Sequence, residues 1–109
     1  MTKKLIAKRA RLWAKALEEN SGSEARNFFR KGSRRCCLCV AADVAAEETK
    51  DKSYKVADES NMPLGKVGEW FGWGSNDPKL GYYFASGFND WIQLDHKDIA
   101  KLVRKEFCK

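Results

Sequence analysis

The chain has 109 residues, and its Lys and Arg exceed its Asp and Glu by six; that length fits one domain, 1–109, with a single modest core. At 43% hydrophobic and 12% aromatic it has enough core material to exclude intrinsic disorder, and no apolar run nears the ~20 residues of a membrane span, so no membrane partner is expected. The charge is uneven: residues 1–35 carry +8, residues 36–63 carry −3 and the remainder +1, which bears on partners and association rates, not on fold.

In chain order, Met1 to Lys8 is basic but runs into more charge and not into the apolar core of a signal peptide. A cytoplasmic protein with reduced thiols is therefore expected. Residues 3–19 have a helical pattern, with Ile6, Ala10, Trp13 and Leu17 on one stripe and Lys4, Lys8, Arg11 and Lys15 on another, both spaced 4, 3, 4 or nearly so. Residues 20–23 (Asn-Ser-Gly-Ser) stop that helix. The aromatic pair Phe28-Phe29 and the turn residues Lys31-Gly32-Ser33 predict a β-hairpin arm over 26–38.

From Cys37 to Glu48 the pattern is helical again, with Cys37, Ala41, Val44 and Ala45 in one stripe before a charge run at 47–52. A short strand is expected at 53–57. Pro63 suits a first helical turn, and Leu64, Val67, Trp70 and Phe71 form a short amphipathic helix that Gly72 ends. Residues 73–78 have loop composition, 80–84 an extended pattern and 87–90 a turn. Asp95 is a good N-cap for a last helix with Ile99, Leu102, Val103 and Phe107 on its apolar face, and Lys101, Arg104, Lys105 and Lys109 toward its C-terminal end. The expected fold is α+β: a small, compact, mainly helical domain of about four helices with one or two short β-hairpins.

Leu12-Trp13, Cys36-Cys37-Leu38, Val40, Asp43, Met62-Pro63, Val67, Trp70, Gly72, Asn89-Asp90 and Ile99-Ala100 follow one another in an order that resembles a family of small uncharacterised tailed-bacteriophage proteins. In that family a Cys-Cys-Leu-Gly-Val-Leu-Cys motif opens a helix. Here Cys39 stands at its Gly, Ala41 and Ala42 at its last Leu and Cys, and Met62 at the Leu of a Leu-Pro. The resemblance implies a phage-encoded accessory protein acting in the host cell cytoplasm and carries no established activity.

The cysteines come next. Cys36 and Cys39 are spaced as a CxxC, with Cys108 and His96 as further donors, but twelve residues separate those two on one helix, about 18 Å along its axis, too far for one ion. Cys36 or Cys37 beside Arg34 and Arg35 at a helix start has the setting of an activated thiol; His96 is the only histidine to serve it, and no partner for it is evident. A Cys36–Cys37 disulfide would close a strained eight-membered ring. The thiols are read as packing, with no metal, no cofactor and no catalytic residue. Asn89-Asp90 lacks a second carboxylate for acid–base work and is read as turn structure.

Two binding surfaces remain. Eight rings lie between Trp70 and Trp91, more than such a core needs, and Trp73, Tyr82, Tyr83 and Trp91 in loop-like sequence are expected as exposed anchors for a host protein. The alternative is nucleic acid or an anionic nucleotide on Lys4, Lys8, Arg11, Lys15, Arg34 and Arg35. No helix-turn-helix, zinc-finger or RRM signature accompanies those cations. The expected function is non-catalytic binding and modulation of a host macromolecule, a protein first, and the apolar face of 64–72 leaves a homodimer open.

Overall fold

Helix α1, Lys3–Glu19, starts where Thr2 leaves the helix in extended backbone and its hydroxyl accepts the Leu5 N–H at 3.2 Å. In the computed structural model, which describes residues 1–22, 30–31, 34–35, 37–55, 64–73 and 95–108, this helix buries Ala7, Ala10, Trp13, Ala14 and Leu17. The predicted stripe is thus shifted: Ile6 stays at the margin, and Ala7 and Ala14 take its place inside. Alanine at three of the five buried positions keeps that side of the helix narrow and leaves Trp13 as its one large insertion.

The chain then makes a two-residue antiparallel ladder, Arg30–Lys31 (β1) with Arg34–Arg35 (β2), in which Arg30 faces Arg35 and Lys31 faces Arg34. Of the hairpin expected over 26–38, the described residues show this ladder. Helix α2, Cys37–Thr49, follows; Cys37 through Ala42 are all buried, as are Ala45 and Ala46. A helical stretch apolar on all sides belongs in the middle of a domain; the first half of α2 is such a stretch, and the helix touches α1, α3 and the ladder. It ends with Lys50 in the left-handed region, φ +56°, and the Asp51 N–H bonded to the Ala46 carbonyl at 3.1 Å.

Where a strand was expected at 53–57, Lys52–Tyr54 form a single 3-10 turn. The Asp51 carboxylate accepts both the Ser53 N–H (2.9 Å) and its hydroxyl (2.7 Å), which curls the chain at the point where it would have to extend. Helix α3, Leu64–Phe71, closes on Gly72 at φ +80°, with the Trp73 N–H on the Gly68 carbonyl (2.9 Å) and the Gly72 N–H on the Glu69 carbonyl (3.2 Å), a Schellman end. Helix α4, His96–Phe107, has Asp95 at its N-cap position without a side-chain capping bond, and buries His96, Ile99, Ala100 and Val103.

Among the described residues four helices build the core and no sheet layer joins them, so the expected α+β class is corrected to all-α. The extended pattern at 80–84 and the turn at 87–90 lie outside the described residues. The most extensive pairing is α1 with α4. The two run antiparallel: His96 Nδ1 is 3.0 Å from the Asn20 carbonyl at one end, and the Cys108 thiol is 3.6 Å from the Ala7 carbonyl toward the other. No helix among the described residues is long and apolar enough to cross a membrane.

Candidate nucleic-acid interface

Burial of one face of α1 decides what its other face presents. With Ala7, Ala10, Trp13, Ala14 and Leu17 inside, Lys4, Lys8, Arg11 and Lys15 fall on the solvent side, and all four are exposed. From Lys4 to Lys15 is eleven residues, a row about 16 Å long. None of the four forms an ion pair among the described residues. Arg9, one residue from Lys8, is spent differently: its guanidinium lies 4.2 Å from the Trp70 ring centroid and donates to the Trp70 carbonyl, tying α1 to α3. Arg34 and Arg35 form one side of the ladder that leads into α2, in sequence reach of α1 but not shown beside it.

Of the four expected aromatic anchors, Trp73 alone is among the described residues. Trp73 is only 5% exposed. Its ring stacks on Phe71 at 4.8 Å and 8° and meets Trp13 at 5.0 Å, so the expectation that it stands at the surface is corrected. The Schellman end of α3 is the cause, since it folds the chain back over Gly68 and delivers the next side chain into the core. Tyr82, Tyr83 and Trp91 lie outside the described residues, as do Cys36, Asn89 and Asp90.

Cys37 and Cys39 are 1% and 0% exposed, and the carbonyl of Cys37 receives the Trp13 indole N–H at 3.0 Å. These are packing positions. Cys108 is half-buried, and burial pushes its thiol up from the ordinary range against the opposing pull of Arg11 and Arg104. His96 is 1% exposed, with Nδ1 on the Asn20 carbonyl. That bond supplies the partner for which the sequence offered no sign. His96 and Cys108 sit at opposite ends of an unbroken α4, and no three His, Cys, Asp or Glu converge among the described residues.

Sequence reasoning missed a second set of cations. Lys97, Lys101 and Arg104 recur on α4 at spacings of 4 and 3 and are exposed, and Arg104 pairs with Glu18 of α1. Their spacing repeats the pattern that marked α1 and was there to be found. Arg104 also complements the C-terminal end of the helix dipole, a role that hides its place in this row. The chain matches no protein-family model, and comparison with curated proteins and with solved structures found no match.

Proposed function

We propose that the chain is a non-catalytic binding protein whose partner is the phosphate backbone of nucleic acid, held by Lys4, Lys8, Arg11 and Lys15. The observation that carries this is the exposed row on α1, to which no carboxylate is paired among the described residues. A cationic row about 16 Å long matches some five base pairs of duplex and exchanges counterions for phosphates along its length. The cations are three ammonium groups and one guanidinium strung along one helix face, an arrangement that favours an extended polyanion over a free nucleotide. Sequence-independent binding is the form such a surface supports. Together with the resemblance to tailed-phage proteins, this makes the chain a phage-type accessory factor acting on nucleic acid in the host cell cytoplasm.

Protein as the partner, the first expectation, loses support because Trp73 is in the core. The test is fluorescence anisotropy of a labelled duplex across a salt series. Four phosphate contacts give a slope of log K on log salt of about −4. Charge reversal at Lys8 and Arg11 to Glu should abolish binding at low salt while helix content by circular dichroism stays unchanged. Binding that ignores salt, or that survives the reversal, rejects the proposal.

A further inference from the structure

The seam between α1 and α4 brings two cationic rows to one surface. On α1, Lys4, Arg11 and Glu18 recur every seven residues and so lie in one nearly straight row. On α4, Lys97, Lys101 and Arg104 form a row of their own. Arg104 reaches across to Glu18, which puts the α4 row beside the Lys4–Arg11–Glu18 row and not on the far side of the bundle. Cys108 gives a second fix on the same geometry: its thiol lies against the Ala7 carbonyl, and Arg11 and Arg104 both act on it electrostatically. The helices run antiparallel, so the α4 row lies beside the Arg11–Glu18 half of the α1 row.

Resting on the nucleic-acid reading above, we propose that the anion site is composite: Lys97, Lys101 and Arg104 form its second bank, and Glu18 holds Arg104 until a phosphate takes the carboxylate's place. The ion pair is suited to exchange. Its side chains are 43% and 45% exposed, so the carboxylate and guanidinium are both largely hydrated and neither loses much by parting. A phosphate offers the guanidinium the same two-oxygen geometry as a carboxylate. Glu18 also ends the cationic row on α1, and its charge repels a backbone lying along Lys4 and Arg11. It thus acts twice against weak or misplaced anions, by occupying Arg104 and by repulsion. A polyanion long enough to reach both banks overcomes it; a single free phosphate does not.

The experiment uses the full chain and a labelled random-sequence duplex of about 20 base pairs between about 50 and about 200 mM salt. With both banks engaged the wild-type slope is about −6, against about −4 for α1 alone. Lys101→Gln with Arg104→Gln should make the slope shallower by about 2, and Arg104→Lys should retain most of its own share because the charge remains. Glu18→Gln should tighten binding roughly fivefold. If the α4 variants and Glu18→Gln all bind like wild type while Lys8→Glu with Arg11→Glu abolishes binding, the second bank is overturned and the α1 site stands. If the wild-type chain binds no duplex at low salt, both fall together. Lys97→Gln, which leaves both members of the Glu18–Arg104 pair in place, guards against a misfolded Arg104 variant, and an unchanged slope there counts against the composite site.

Discussion

The indole N–H of Trp13 donates to the backbone carbonyl of Cys37 at 3.0 Å, and both residues are buried, at 0% and 1% exposure. This bond fixes where the first turn of α2 sits against the middle of α1. The same indole packs against Phe71 (5.7 Å), Trp73 (5.0 Å) and Phe107 (6.2 Å), so one side chain joins all four helical segments. Trp13→Phe removes the donor and part of the volume. Cys37 keeps its helical hydrogen bond, so the loss is a partial one, about 2 kcal/mol. Trp13→Ala, which leaves a cavity, costs about 3–5 kcal/mol. Urea titration should show the midpoint falling in that order with the slope unchanged for Trp13→Phe.

Two helix ends with the same geometry carry different residues, and substitution should act on them in opposite directions. Gly72 has φ +80°, and a Cβ there would lie 2.8 Å from both Ile6 Cγ1 and Met1 Sδ. Gly72→Ala therefore costs at least about 1 kcal/mol, from the left-handed backbone and the clash together. Lys50 holds the equivalent place after α2 at φ +56°, and its side chain is exposed. Lys50→Gly removes the Cβ penalty and should stabilise by about 0.5–1 kcal/mol. Thermal melts of the two variants would shift down and up respectively; a downward shift for Lys50→Gly would contradict the strain assigned to that residue.

The helices were legible because each announces itself locally. Gly72 and Asp95 bound their segments, and apolar residues recur at 3 and 4 within them. The class was not, because side-chain capture of the backbone and the direction of a helix end, which no periodicity encodes, decided those segments. Ser53 and its neighbours have strand-like composition, yet Asp51 captures the Ser53 N–H and curls the chain. Trp73 follows a helix-stopping glycine and precedes Gly74, so it has the composition of a surface loop. Its burial comes from the direction in which the Schellman end sends the chain, and no periodicity encodes that. On the site, the α1 row was legible from spacing alone. That α4 brings a second row beside it depends on the antiparallel docking of helices some eighty residues apart in sequence.

Thiol chemistry should separate the cysteines. Cys37 and Cys39 are enclosed and should resist alkylation until the protein unfolds, whereas half-buried Cys108 should react slowly in the folded state. Burial holds its thiol protonated above the usual range, so its alkylation rate should keep rising past the pH at which a free cysteine levels off. The sign for stability follows: a thiol whose folded value is raised contributes fully at lower pH, and the contribution is lost as pH climbs through that value. Arg11→Ala and Arg104→Ala each remove a charge that favours the thiolate, so each should move the alkylation profile to still higher pH. Peptide mapping after pulse alkylation reads this residue by residue. A profile that ignores both arginines would separate them from the thiol and weaken the α1–α4 seam described above.

Arg9 and Lys8 are adjacent cations with opposite roles, and a pair of substitutions should divide them. Arg9 lies with its guanidinium 4.2 Å from the Trp70 ring centroid and donates to the Trp70 carbonyl, a contact between α1 and α3 that is partly shielded from water. Its removal costs a cation–π contact and a charge-assisted hydrogen bond, about 1–2 kcal/mol together. Arg9→Lys keeps the charge but loses the planar fork, so it should recover only part of that stability. Lys8 is exposed and makes no ion pair among the described residues, so Lys8→Ala should leave the urea midpoint within about 0.5 kcal/mol of wild type. On the duplex the order inverts. Lys8→Ala should make the salt slope shallower by about 1, and Arg9→Ala should leave it unchanged wherever the protein remains folded. A slope that falls equally for both would mean that the charge of α1 acts as a diffuse field, and the row of Lys4, Lys8, Arg11 and Lys15 would lose its standing as a defined contact surface.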